Sequence, residues 1–354
     1  MKTRVLLLLL PLTLWLAACQ PATTSTLPLA SPEALDAEAR LQPFFTDPHN
    51  DALRGGPDAA VAKAIDAARV SVDAALYDLN LWSIRDALIR AHRRGVQVRI
   101  VAESDHLDRP EFRALAKAGI PIVGDGRKAL MHDKFIVIDR YEVWTGSMNF
   151  TLNGAYRNDN NLVRLISRQL AEDYTAEFEE MFLQHRFGAD SPANTPYPQV
   201  TLDGITTEVY FAPEDHPLTH LMPLLEKAQE SIYFMAFNLT DDDLARLLIA
   251  KAQQGVKVAG VFDERQAKTS TGNEYLRLKQ AGLPVFLDAN PYAMHHKVFI
   301  IDQRVVVFGS YNFTHSAETR NDENLVIAHD PLLASQFLEE FHRVYDAASA
   351  YNQR

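Results

Sequence analysis

One short constellation is written twice in this chain, and it constrains the fold more than any other feature. His132-Asp133-Lys134, with Asp139, Gly146-Ser147 and Asn149, recurs as His295-His296-Lys297, with Asp302, Gly309-Ser310 and Asn312. Every equivalent pair lies 163 positions apart. The likeness continues outside the motif. Arg157-Asn-Asp-Asn-Asn-Leu162 matches Arg320-Asn-Asp-Glu-Asn-Leu325, and Ala118-Gly-Ile-Pro121 matches Ala281-Gly-Leu-Pro284. Solenoid and propeller repeats have much shorter periods, so two near-equal halves of this length mean a duplicated domain. A chain of 354 residues has room for two ordinary domains, each with its own core.

Within the first half, apolar periodicity alternates between the helical and the extended kind. It predicts helices near 59–69, 81–94 and 110–118 and strands near 70–76 and 96–101. Two short strands follow at 135–138 and 142–145, joined at Asp139-Arg140. Such alternation argues an α/β domain with helices covering a sheet. A long terminal helix closes each half. Tyr174, Phe178 and Phe182, and likewise Phe337, Phe341 and Tyr345, form stripes at helical spacing and read as core. Glu177, Glu179 and Glu180 on the first of these helices read as an exposed face. His92-Arg-Arg94 reads as a solvated helix end beside the dipole, and Asp241-Asp-Asp243 as a helix cap. The Pro- and Ser-containing stretch 187–199 reads as a linker between a first repeat over 44–186 and a second over 200–354.

The first nineteen residues differ from the rest. Lys2 and Arg4 precede an apolar run of signal-peptide length. The run closes on Leu16-Ala17-Ala18-Cys19, which resembles a bacterial lipoprotein box. That resemblance implies cleavage before Cys19 and lipidation of its thiol, with residues 20–43 as a tether. Cys19 is the only cysteine, so no disulfide is expected. Each buried methylene of an acyl chain adds roughly 0.8 kcal/mol to membrane binding. Gln20 follows, with no Asp as an inner-membrane retention signal, which points to outer-membrane or surface placement. The formal charge is −11, and two units more negative once Lys2 and Arg4 are gone. Proteins that track nucleic-acid backbones usually carry a basic face, so the acidic balance argues against tight nucleic-acid binding unless a local groove is basic.

The repeated residues suit phosphoryl chemistry. Residues i and i+2 of a strand share a face, so His132 and Lys134 project together while Asp133 faces away; His295 and Lys297 do the same, with His296 on the opposite face. A Gly before Ser147 or Ser310 permits a turn that returns Asn149 or Asn312 to that face. Two halves facing each other then offer two imidazoles, two ammoniums and two amides. One neutral imidazole can attack phosphorus, and the other can donate to the leaving oxygen and then activate water. The Lys and Asn pairs hold the non-bridging oxygens. No metal is required, no cofactor is expected, and two interleaved ammoniums oppose a zinc ion shared by His132, His295 and His296.

HxK, four residues, Asp, six residues, Gly-Ser, one residue, Asn is the signature of the phospholipase D superfamily, and both copies match its spacing without a gap. The second copy is similar to small bacterial nucleases and to the mitochondrial cardiolipin hydrolase branch. The resemblance implies two tandem phospholipase D-like α/β sandwich domains related by pseudo-twofold symmetry, with one active site at their interface. It implies a catalytic core of His132, Lys134, Asn149, His295, Lys297 and Asn312, with His132 as nucleophile and His295 as acid and base. Ser147 and Ser310 would line the site, and Asp139 and Asp302 would pin the turn after the motif strand. The family commonly places an acidic residue to orient a His across the interface. Glu323 fits that place in the second half, but its counterpart in the first is Asn160. Crosswise pairing would set Glu323 on His132 and leave His295 a neutral amide.

Four substrate readings follow. A phospholipase D-type lipid phosphodiesterase at a membrane surface agrees with the lipoprotein box and the acidic charge. An extracytoplasmic endonuclease acting on DNA or RNA agrees with the second motif. A cardiolipin synthase-type transphosphatidylase uses the same site, but such proteins usually carry membrane-spanning helices. A lipid-binding protein without turnover would not need both motifs intact. Because one chain carries both halves of the site, it is expected to act as a monomer.

Overall fold

Strand periodicity decides which way each side chain of the motif region points. In a computed structural model, which describes residues 40–353, the first half runs β1 (Leu41–Phe45), α1 (Pro57–Ala67), β2 (Ser71–Leu76), α2 (Trp82–Arg93) and β3 (Gln97–Ala102). It continues through α3 (Pro110–Lys117), β4 (Ile122–Gly124), β5 (Lys134–Ile138), β6 (Glu142–Gly146), α4 (Leu152–Tyr156), β7 (Asn161–Ile166) and α5 (Arg168–Gln184). Cys19 and its lipoprotein box lie outside the described residues. The second half repeats the pattern after a short hairpin strand: β8 (Gln199–Leu202), β9 (Ile205–Ala212), α6 (Pro217–Lys227), β10 (Ser231–Ala236), α7 (Asp242–Gln253) and β11 (Lys257–Phe262). Then come α8 (Glu264–Thr269), α9 (Tyr275–Gln280), β12 (Val285–Leu287), β13 (Lys297–Ile301), β14 (Val305–Gly309), α10 (His315–Thr319), β15 (Glu323–Ala328) and α11 (Pro331–Asn352).

Each half forms one mixed sheet, ordered β1-β7-β6-β5-β2-β3-β4 in the first and β12-β11-β10-β13-β14-β15-β9-β8 in the second. Parallel pairing of β2 with β3 and of β10 with β11 is made through α2 and α7, as crossover connections require. Alternate residues then face different layers. Ile136 and Ile138 of β5, with Val72, Ala74 and Leu76 of β2, pack under α1, α2 and α3. Phe135 and Val137 face the other way, into a central core that both halves share. The second sheet does the same with Phe299 and Ile301 outward and Val298 and Ile300 inward. α5 and α11 supply the central layer through Tyr174, Phe178, Met181, Phe337 and Phe341, so both aromatic stripes are core. Truncating one such fully buried ring costs about 3–5 kcal/mol.

Two boundaries differ from the sequence reading. β1 starts at Leu41, inside the expected tether, and pairs with β7 as an edge strand, Pro43 opposite Val163. An edge tolerates the proline that makes this stretch look strand-averse. The 187–199 connection is built into the body: Phe187 is buried, and the Gly188 N–H donates to Asp322 Oδ1 at 2.5 Å. Glu177 and Glu180 are also buried rather than exposed, because α5 has sheet on one side and the other half on its flank. Among the described residues no helix is long and apolar enough to cross a membrane.

Candidate active site

The turn that follows each motif strand is the first thing that fixes the site. Asp139 and Arg140, and equally Asp302 and Gln303, sit at positive φ, the two-residue turn that matches strand twist. Asp139 accepts hydrogen bonds from the N–H groups of Arg69, Val70 and Ser71; Asp302 does so from Gln229, Glu230 and Ser231, at 2.7–3.1 Å. The motif aspartates thus pin the turn and also the loop that precedes the neighbouring strand, away from the reacting groups. Partial burial pushes the Asp302 carboxyl up, but the N–H groups of Ser231, Gln229 and Glu230 hold it below the usual carboxylate range.

The residues before the motif lysines are clamped to the opposite half. The His132 N–H donates to the Asp322 carbonyl at 2.9 Å, and the His295 N–H to the Asp159 carbonyl at 2.8 Å. Each motif therefore begins as a short bridge to the other domain, and the residue following each aspartate meets the opposite imidazole. Glu323 Oε2 is 2.6 Å from His132 Nδ1. Asn160 Oδ1 is 3.0 Å from His295 Nδ1, which also lies 3.0 Å from the Ser147 carbonyl. Both of those partners accept, so His295 Nδ1 carries a hydrogen and Nε2 is left for a reactant. Ser147 and Ser310 are wholly buried beside the imidazoles, which their backbones contact: the Ser147 hydroxyl donates to Asn160 Oδ1 at 2.9 Å, and Ser310 accepts the Asn324 N–H at 2.9 Å. Gly146 and Gly309 are required here, since a Cβ would come within 2.5 Å of the Asn161 carbonyl or 2.3 Å of the Asn324 carbonyl.

Lys134 and Lys297 are fully buried, each donating to the carbonyl of its own His, at 2.9 Å for Lys297. Their ammonium nitrogens lie over Tyr77 at 4.7 Å and Phe237 at 4.6 Å, rings that also meet His132 and His295 edge-on. Glu103 and Asp263 accept the N–H groups of Met131 and Met294 just ahead of each His. These four residues escape a reading confined to the motif, although the repeat already aligns Tyr77 with Phe237 and Glu103 with Asp263. Asn149 and Asn312 each hold a buried side-chain oxygen with no partner among the described residues, so both amides keep capacity for a ligand. His296 points into the central layer, where Asn161 and Glu340 occupy its two nitrogens, so it does not converge with the other two histidines.

Burial, reinforced by the ammoniums of Lys134 and Lys297, holds His132 well below the usual imidazole range. Burial and then Lys297, Lys134 and His132 do the same to His295. Burial lowers Lys134 to about 7, with Glu323 and Asp133 opposing, and burial with the help of Lys134 holds Lys297 well below the usual ammonium range. It raises Glu323 to about 8 against the pull of both lysines. Burial disfavours charge on either member of the His132–Glu323 pair, so His132 rests neutral. Only once Glu323 is ionised, which burial defers to about pH 8, does the ring donate Nδ1–H to a carboxylate and keep its Nε2 lone pair.

Comparison with known proteins agrees with this geometry. The family described as cardiolipin synthase, PLD-like domain, matches residues 61–182 and 221–345. A phospholipase D of Rickettsia typhi is 37% identical over 131 residues, 37% of this chain and 64% of that one. A mitochondrial cardiolipin hydrolase of Chlamydomonas reinhardtii is 33% identical over 129 residues, 36% of this chain and 57% of that one. The chain spans less than two thirds of the length of these relatives. Phosphatidylserine synthase of Haemophilus influenzae shares the fold over 88% of this chain and 90% of its own, with a TM-score of 0.65 at 14% identity. With both halves matched and both motifs facing one another across a single interface, the chain belongs to the phospholipase D-like family, as two tandem α/β domains.

Proposed function

We propose that this chain hydrolyses the headgroup phosphodiester of phospholipids, in the manner of a phospholipase D, through a phosphohistidine at His132. The observation that carries the reading is the unequal support of two facing imidazoles: an ionisable carboxyl group behind His132 and a neutral amide behind His295. A ring that becomes cationic on attack is stabilised by a carboxylate at 2.6 Å, and not by an amide.

In the first step the His132 Nε2 lone pair forms a bond to phosphorus while the bond to the headgroup oxygen breaks. His295 donates its Nε2 proton to that oxygen, and the alcohol leaves. In the second step water adds to phosphorus, His295 takes back its proton from the water, and the P–N bond to His132 breaks, leaving phosphatidic acid. His295 must be cationic for the first step although burial and the lysines keep it neutral at rest. The anionic phosphodiester supplies the missing counter-charge on entering between Lys134 and Lys297, and the amides of Asn149 and Asn312 hold its non-bridging oxygens.

The lipid substrate is supported by relatives named phospholipase D and mitochondrial cardiolipin hydrolase, and by a net charge of −11. The lipoprotein box at Cys19 would place the site at an extracytoplasmic membrane surface. The test presents the purified full chain, in EDTA, with mixed phospholipid vesicles and with single-stranded DNA, each with and without added ethanol. His132→Ala serves as control. Phosphatidic acid release lost in the variant supports the proposal, and phosphatidylethanol in the ethanol arm would add transphosphatidylation. DNA cleavage alone, lost in the variant, would make the protein a nuclease and end the lipid reading.

A further inference from the structure

The central layer contains the same four positions twice, two of them acidic in both halves and two of them cationic or basic in one half and acidic in the other. In the second half His296 Nε2 lies 3.0 Å from Glu340 Oε1, and the Arg343 guanidinium binds Glu340 at 2.7 and 2.8 Å and Asp159 at 2.5 Å. Asn290 donates its amide to Asp159 at 2.9 Å. Shifted by 163 positions, His296, Glu340, Arg343 and Asp159 become Asp133, Glu177, Glu180 and Asp322. The cationic member, Arg343, is replaced by the anion Glu180. The loop after β9 then adds a further carboxylate, Glu214.

The result is a group of five acids, four of them buried and Glu214 half-buried, with few cations to meet it. Arg127, which stands where the other half has Asn290, is committed to Asp322. The exposed Arg186 acts on Glu180 only from outside. Ligand oxygens of Glu177, Glu180 and Glu214 all lie within 4.8 Å of one another. Asn194 hydrogen-bonds the Glu180 carboxylate and Glu177 hydrogen-bonds Glu214, yet one oxygen of each acid is left over. Glu180 Oε2, on a residue 1% exposed, has no hydrogen-bond partner among the described residues, and neither do Glu214 Oε2 and Asp133 Oδ2. A carboxylate oxygen buried without a donor is costly unless a proton or a cation meets it. Burial raises Glu180 to about 7 and Glu214 to about 8, and burial with Glu214 and Asp133 nearby holds Glu177 well above the usual carboxyl range.

We propose that Glu177, Glu180 and Glu214 hold a hard divalent cation, calcium foremost, which takes the place that the Arg343 guanidinium fills in the other half. The donor set is all carboxylate oxygen, which suits calcium, magnesium or manganese rather than zinc or copper. A flexible shell with Ca–O bonds of about 2.3–2.6 Å suits carboxylates brought together from two separate elements better than the strict octahedron of magnesium does. Glu177 and Glu180 belong to α5 of the first half, and Glu214 to the loop after β9 of the second. The ion would therefore tie the two halves together behind the site, as Arg343 of α11 does by reaching Asp159 of the first half. It is a structural role and is independent of which phosphodiester is cleaved.

The test uses the full chain stripped with EDTA and exchanged at pH 7.5. Calorimetric titration with calcium alone should reveal one site per chain, and saturating calcium should raise the melting temperature by at least about 3 °C. Glu214→Gln, a conservative change at a half-buried position, should fold as judged by circular dichroism and lose both signals. Glu180→Arg, which copies the other half, should lose calcium binding while its metal-free melting temperature equals or exceeds that of the parent. If calcium, magnesium and manganese each shift the parent no more than Glu214→Gln, the carboxyls hold protons instead and the metal proposal is wrong.

Discussion

Glu323 Oε2 approaches Nδ1 of His132 to 2.6 Å across the domain interface, whereas the residue equivalent to Glu323 in the other half, Asn160, offers His295 only an amide oxygen at 3.0 Å. The two imidazoles are related by the repeat but not by charge. That difference decides which of them tolerates a bond to phosphorus. Replacing Glu323 with Gln keeps shape and removes the charge. The expected outcome is a fall in kcat of roughly 10–100-fold, the range typical when an orienting carboxylate is lost, with KM little changed. Steady-state kinetics on Glu323→Gln check it; an unchanged kcat would mean that the carboxylate does not support the reacting ring.

The same asymmetry predicts where a covalent intermediate accumulates. His295→Asn leaves His132 and Glu323 in place but removes the acid of the first step as well as the base of the second. The substrate must therefore be a nitrophenyl phosphodiester, whose leaving group needs no proton and whose phosphorus His132 can still attack. A phosphorylated protein should build up with substrate, stable to base and labile to acid, with the label on the peptide containing His132. Peptide mapping after a labelled-substrate quench reads this directly. Label on His295 in the reciprocal His132→Asn variant, and none on His132 here, would reverse the assignment.

How much of this was legible in the sequence follows from which residues repeat and which do not. The motif residues and the crosswise partners Glu323 and Asn160 stand out because the repeat puts each at an identical offset, and strand period then dictates that His and Lys share a face. Tyr77 and Phe237, and Glu103 and Asp263, correspond at 160 positions because the second half has three more residues before its motif, and they lie just after neighbouring strands, where apolar and acidic residues are common. Glu177 and Glu180 could not be read correctly from local pattern. On an isolated helix their spacing marks a wet face, and only the packing of α5 between a sheet and the second half makes it dry. Pro43 hid β1 for a comparable reason, because whether a strand lies at an edge is a property of the assembled sheet.

Asp302 tests the claim that the third motif position is architectural. Its carboxylate accepts three backbone N–H groups from 229–231 and none from the reacting residues. Asp302→Ala should cost about 2 kcal/mol of stability, in the range for hydrogen bonds to a charged group. KM at permissive temperature should be unchanged. Chemical denaturation and kinetics on one preparation separate the two effects. A loss of kcat with stability intact would place the residue in the reaction instead.

The resting protonation of the site sets how it should respond to pH. His295, Lys134 and Lys297 are all held below their ordinary values, chiefly by burial. An anion entering between them stabilises the protonated forms, so binding must draw protons from solution. Sulfate is a suitable probe, because its own charge is constant from pH 6 to 8. Its dissociation constant should rise with pH across that window, by up to about tenfold per unit for each proton taken up. Calorimetry in buffers of different ionisation enthalpy should report proton uptake, with the larger uptake toward pH 8, where more of these groups start neutral. His295→Asn should reduce that uptake while still binding. Sulfate affinity that is flat from pH 6 to 8 would mean that the lysines and His295 are already charged in the free protein, and that the substrate is not needed to arm the acid.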